Sequence, residues 1–280
     1  MLGKFTVQAR DALMTKVGEF SRLLRRCRPS VVGDRRLTKS LPIHLGGREL
    51  FRVLDFGPVS RMRADTFSSK EPETLRWIDS FERGSTFLDV GANIGLYSLY
   101  ACFRDLHVVA VEPDALNFAL LHSNIRLNDR LTRNRVRGYP IALHHGFHIS
   151  DLNISSVSWG AALSSFDNTT DFKGDSFTPL FSQGAVGTSL DDLVSRIGFE
   201  PRHIKIDVDG NEGHVLAGAS ETLRKSYLRS VLVELDERRV DYQNCIEIIS
   251  NAGLRLVEKS HAEMFSQSNF AKSFNHIFVR

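Results

Sequence analysis

The chain has 280 residues, of which 42% are hydrophobic and 25% charged; this excludes a disordered protein and suffices for one buried α/β core with an accessory segment. A net charge of +3 is too weak to argue for nucleic acid, so none is expected as a partner. Cys27, Cys102 and Cys245 are far apart and odd in number, which excludes a disulfide frame and reads as isolated thiols in a reducing compartment.

Residues 1–36 are basic and space Leu2, Phe5, Ala9, Leu13, Val17, Phe20 and Leu24 at helical intervals. Asp11 and Glu19 interrupt the charged face, which favours docking on the main domain over weak contact with a membrane surface. No apolar run reaches the length of a bilayer span and the start lacks the apolar core of a secretory signal, so the expected location is the cytoplasm. Residues 41–59 predict two short strands joined at Gly46-Gly47, and 70–81 a helix leading into the core. These segments divide the chain into an N-terminal extension, 1–70, and a main domain, 71–280.

From Thr86 the chain alternates strand and helix, the pattern of a parallel sheet covered on both faces. Strands are predicted at 86–90, 106–111, 136–143, 203–207, 230–235, 254–258 and 276–279. Helices are predicted at 94–103, 115–128, 190–197, 212–225 and 242–251. The stretch 146–187, rich in Ser, Asn, Asp, Thr and Gly, is too long for a plain connection and reads as an insertion or lid.

The richest signal is Phe87–Tyr97, FLDVGANIGLY, where an apolar run ends in an acid and breaks into a turn with two glycines. Such a turn brings backbone close to a ligand and points the free N–H groups of the next helix at it. The third glycine of a pyrophosphate cradle is absent, and Asp89 would repel a pyrophosphate. A cofactor with a cationic amino-acid end fits better. S-adenosylmethionine has one, and Glu112, ending the strand HVVAVEP about twenty residues on, stands where such folds hold ribose hydroxyls.

In IKIDVDGNEGH (Ile204–His214), Lys205, Asp207 and Asp209 alternate with apolar residues, which places them on one face of a strand. A buried lysine needs a partner, with Glu234 the first candidate and Asp89 the competitor. Asp207, Asp209 and, after them, His214 are the candidate bases that would take a proton from an acceptor hydroxyl. Asp207, Asp209 and Glu212 make only a weak cation signal without histidine support, so no metal is predicted. Asp191 and Asp192 read as acids at a helix start capped by Thr188 or Ser189, with no chemical role.

FLDVGANIGLYS, AVEP, TSLDDL, IKIDVDGNE with VLAGASETL, and VLVELDE, in that order over 71–236, resemble the FkbM family of S-adenosylmethionine-dependent methyltransferases. Asp209 stands where that family often has Glu, and Asn211 where it has a small residue. The resemblance implies a class I methyltransferase fold, α/β and Rossmann-like, whose seven-stranded sheet has its last strand antiparallel. It also implies O-methylation of a sugar, glycan or polyketide-like hydroxyl. The cofactor set is then Asp89, Gly91, Ala92, Asn93, Gly95, Glu112, Pro113 and Ala142. The alternatives are a nicotinamide-dependent oxidoreductase and a non-catalytic partner that keeps the fold. The acceptor pocket is expected from 146–187 and the N-terminal segment.

Overall fold

The structure, a computed structural model, describes residues 39–261 and 263–280. The basic helix predicted in 1–36 and Cys27 lie outside them. A hairpin opens the described chain: β1 (Ser40–Leu45) and β2 (Arg48–Leu54) pair antiparallel around Gly46 and Gly47, whose φ values of 57° and 78° suit glycine. Two short helices, Pro58–Asp65 and Phe67–Lys70, lead to the helix predicted at 70–81, which spans Pro72–Asp79. Proline is tolerated at a helix start because its missing N–H has no intrahelical partner there. The hairpin and these helices share one compact unit, Ser40–Arg280, with the main sheet.

The remaining strands are β3 (Thr86–Val90), β4 (His107–Val111), β5 (Val136–Tyr139), β6 (Ala142–Leu143), β7 (His148–Ile154), β8 (Ser165–Phe166), β9 (Phe181–Thr188), β10 (His203–Ile206), β11 (Ser230–Asp236), β12 (Arg255–Ser260) and β13 (Ser273–Val279). Seven of them form the main sheet in the order β12-β13-β11-β10-β3-β4-β5. Its central strands are parallel, and β13 runs antiparallel to both β11 and β12, as predicted for the last strand. Leu88, Val90, Val109, Val111, Ile204, Ile206, Val231 and Val233 are buried together with Leu193, Val194, Val215, Leu216 and Ile249 of the covering helices. Each such side chain contributes about 1.5–3 kcal/mol on burial.

Three predicted elements are corrected. The strand at 136–143 is two strands, because Pro140 has no N–H for the ladder; β5 stays in the main sheet while β6 pairs with β9. The segment 146–187 is largely strand, β7 to β9, in a second sheet of order β6-β9-β7-β8. The helix at 212–225 breaks into Glu212–Ala217 and Ser220–Leu223 at Gly218, where a Cβ would overlap the His144 carbonyl oxygen.

Candidate active site

At the carboxyl end of β3 the backbone turns through Gly91, Asn93 and Gly95, with φ values of 80°, 51° and 88°. A side chain at Gly91 would overlap the Asp207 carbonyl oxygen, and one at Gly95 would run into Leu121. Glycine is therefore required at both positions, by backbone angle and by space. Glu112, at the end of β4, fixes this turn: it accepts the Asn93 N–H at 2.7 Å and the Asp114 N–H at 3.0 Å. Burial pushes its carboxyl up to about 8 against the pull of those hydrogen bonds. Each oxygen keeps a lone pair for a further donor.

Two cavities flank the turn and share Gly91, Asn93, Ala162, Asp207 and Asp209. The smaller, about 60 Å³, is lined by Glu112, Pro113 and Ala142 as well. The larger, about 290 Å³, adds Ala92, Lys205 and Glu234. Of the eight predicted cofactor positions, Asp89 and Gly95 line neither. Asp89 lies beneath the turn, 1% exposed; its Oδ2 accepts the Ser98 hydroxyl at 2.5 Å and its Oδ1 is buried without a partner. Glu112's spare lone pairs, the two glycines that bring the backbone close, and the orphaned Asp89 oxygen beneath the turn fit a ligand with hydroxyls at one end and a cation near the turn.

Lys205 is paired, but with Asp207 and not with Glu234: its Nζ donates to Asp207 Oδ2 at 2.6 Å and lies 5.0 Å from the centre of the Tyr97 ring. The strand ends at Ile206, so Asp207 is free to turn back over the ammonium. Burial works against the charged lysine, yet Asp207, Glu71 and Asp89 outweigh it and hold Lys205 above its ordinary value. Burial likewise opposes the Asp207 carboxylate, and Lys205, Lys70 and a hydrogen bond from Glu234 drive it well below the carboxylate range. Glu234 is displaced the other way, first by burial and then by the Asp207 charge.

Asp209 differs. It has left-handed backbone, φ 56°, so the predicted strand alternation does not extend to it. It nevertheless lines the same cavity as Asp207. Its Oδ2 accepts the Leu163 N–H at 2.7 Å, and burial with the nearby Asp207 charge pushes its carboxyl up to about 6. His214 is placed elsewhere: it lines neither cavity and stacks on His144 at a ring separation of 4.2 Å. Glu212 accepts the N–H groups of Val208 and Gly210 at 3.1 and 3.2 Å, holding the turn on which Asp209 sits. Ser189, not Thr188, caps the helix Leu190–Ile197, and Asp191 accepts the Glu221 and Thr222 N–H groups at the next helix but one.

The larger cavity's outer wall takes residues from 146–187 and the N-terminal segment, as expected of the acceptor pocket, and others near the C-terminus that were not expected. From 146–187 it takes Ala162 and Leu163; the rest comes from Arg63, Lys70 and Glu71 on one side and Met264, Phe265 and Phe270 on the other. No motif marks these residues. The Ala161 carbonyl accepts from Asn93 Nδ2 at 2.7 Å and Asn117 Nδ2 at 2.9 Å, which lays the second sheet's connecting segment across the glycine turn.

A sheet of this order, with a cleft open at the carboxyl ends of β3, β4 and β10, defines a class I S-adenosylmethionine-dependent methyltransferase fold. Residues 89–266 match the methyltransferase FkbM domain, and the chain belongs to that family, whose cofactor is S-adenosylmethionine. It is 28% identical over 192 residues, 66% of this chain and 70% of the relative, to the hexuronic acid methyltransferase AglP of Haloferax volcanii. Among solved structures it is similar to Aeropyrum pernix fibrillarin with natively bound S-adenosylmethionine, at 12% identity and a TM-score of 0.47 over 89% of this chain and 86% of that one. It is also similar to precorrin-6y C5,15-methyltransferase of Geobacter metallireducens, at 10% identity and a TM-score of 0.44 over 75% and 86%.

Proposed function

We propose that this chain is an O-methyltransferase acting on a hydroxyl of a sugar-like acceptor, with Asp209 as general base. The observation that carries this reading is the position of Asp209 where the two cavities meet, with a carboxyl pushed up to about 6. When bound, S-adenosylmethionine would supply an electrophilic sulfonium methyl for the acceptor oxygen and leave as S-adenosylhomocysteine. An alcohol attacks well only as its proton leaves, and a base with a pKa near the working pH removes it most effectively. Asp207, held by Lys205, is too weak a base for this and serves to fix the lysine. Glu112 would hold the ribose hydroxyls, and Asp89 would favour the ammonium end from beneath the turn without lining either cavity.

The acceptor class follows from the larger cavity. Glu71, Asp209 and Glu234 line it together with Phe265 and Phe270, offering carboxyl acceptors for a hydroxyl rim and ring faces for an apolar C–H face. The hexuronic acid methyltransferase among its relatives supports the same class.

The test is incubation of the purified chain and S-adenosylmethionine with a panel of free and nucleotide-linked sugars, uronic acids included, read by the mass gain of one methyl group. A product that resists mild alkali is an ether and supports the reading. One cleaved by alkali is a carboxylate ester, which needs no general base and would sink both the O-methyl ether and the role of Asp209.

A further inference from the structure

On the second sheet, outside both cavities, lies a cluster of four histidines: His144 just after β6, His145, His148 at the start of β7, and His214 in the helix Glu212–Ala217. His144 is 1% exposed, and neither of its ring nitrogens has a hydrogen-bond partner. A buried imidazole normally satisfies at least one nitrogen, since an unpaired buried polar atom costs about 1–3 kcal/mol. His148 Nε2 is buried too and makes no hydrogen bond of good geometry, with Asp167 as its polar neighbour. One ligand atom each from His144, His148 and Asp167 lie within 4.8 Å of one another.

We propose that His144, His148 and Asp167 hold a divalent transition ion, zinc by donor type, with water in the fourth position. His148 Nε2 and Asp167 Oδ2 stand 3.4 Å apart. Ligands on adjacent corners of a tetrahedral zinc ion, with bonds of about 2.0–2.1 Å, stand roughly that far apart. Both ligands are also oriented from behind, as metal ligands generally are. His148 Nδ1 faces the Gly146 carbonyl at 3.2 Å, which fixes the tautomer that leaves the Nε2 lone pair free. Asp167 Oδ1 accepts the Ser150 hydroxyl at 2.6 Å, which leaves Oδ2 toward His148. The Asp167 side chain is 41% exposed, so an ion has a path from solvent and room for water.

The second grouping, His144 with His145 and His214, shares the buried ring. His145 and His214 are exposed, and His214 meets His144 face to face at an interplanar angle of 22°. Among the described residues neither ring is held by an orienting hydrogen bond like those on His148 and Asp167. The ion therefore belongs with His148 and Asp167. There it joins the end of β6, the start of β7 and the residue after β8 across the second sheet.

The test uses the full chain without a polyhistidine tag, stripped of metal by a chelator and titrated with Zn²⁺ against a chromogenic chelator. One equivalent should bind with a dissociation constant of about 1 μM or tighter, and His148→Gln and Asp167→Asn should each weaken it by at least about tenfold. His214→Gln should change it by less than about threefold. Far-UV circular dichroism melts accompany each variant. Zinc-edge X-ray absorption of the parent protein should show imidazole scattering, a readout that stands even where a variant fails to fold. Absence of saturable binding, a spectrum of water ligands alone, or affinity lost with His214→Gln and kept with Asp167→Asn would each overturn the proposal.

Discussion

Replacing Lys205 with methionine tests whether the cluster beneath the cleft is held together by its one fully buried ammonium. The parent side chain is 1% exposed and donates to Asp207 at 2.6 Å, with Glu71 and Asp89 near enough to raise it. Removing it leaves Asp207 without its principal countercharge and Glu71 with Lys70 alone, and breaking a pair in this way costs about 3–5 kcal/mol. In a domain of this size that corresponds to a fall in melting temperature of roughly 6–20 °C. The loss should depend on pH. In the parent, the folded pKa of Asp207 is depressed, so its contribution is complete above the unfolded value of about 3.9 and is lost as pH falls below it. In the variant, burial raises the same carboxyls, which then bind protons on folding and recover stability as pH falls. The gap between the two proteins should be widest at neutral pH and narrow toward about pH 4. Urea unfolding at several pH values measures it. Lys205→Met with Asp207→Asn should recover part of the loss. A gap under about 1 kcal/mol at pH 8, or one unchanged down to pH 5, would refute an electrostatic role for the pair.

Asp209→Asn should bind cofactor normally yet turn over about 100- to 10,000-fold more slowly. The parent rate should rise with pH through about 6 as Asp209 loses its proton, and an Asn variant that retains that limb would remove Asp209 from the chemistry. Glu112→Ala should weaken S-adenosylhomocysteine binding by roughly tenfold or more, measured by calorimetry, because it removes charge-assisted hydrogen bonds; unchanged affinity would clear Glu112 of any ribose contact. Gly91→Ala should reduce soluble yield and melting temperature far more than Gly46→Ala, since both have positive φ but only Gly91 lacks space for a Cβ. Equal effects in thermal melts would mean that the contact with Asp207 is relaxed at little cost.

How much was legible in the sequence depended on how sharply a signal ends. The strand through Val111 stood out as an unbroken apolar run stopped by an acid, and the strand through Val90 as an apolar run that meets Asp89 just before a glycine turn. The split at Pro140 was missed because apolar residues continue on both sides of it. The second sheet looked like loop because β7 and β9 put hydrophobic residues on the solvent side: Ile149, Phe181 and Val186 are all exposed, which cancels the alternation by which a half-buried strand is recognised. Lys205 was given the wrong partner because alternation was extended past Ile206, where the backbone has already left the sheet. The cluster around His144 carries no motif at all. Its members come from the end of one strand, the start of another and a helix some seventy residues later.

The contact of Gly91 with Asp207 joins the cofactor turn to the loop bearing the proposed base through backbone atoms alone. Such a joint has no rotamers and little slack, so the span between the methyl donor and Asp209 is set like that of a jig. Of the outer wall, Leu163 alone is tied to this joint, through Asp209; among the described residues the segments 62–73 and 263–275 make no backbone hydrogen bond to either half of it. Substitutions there can reshape what is clamped in front of the tool without altering how the tool is held.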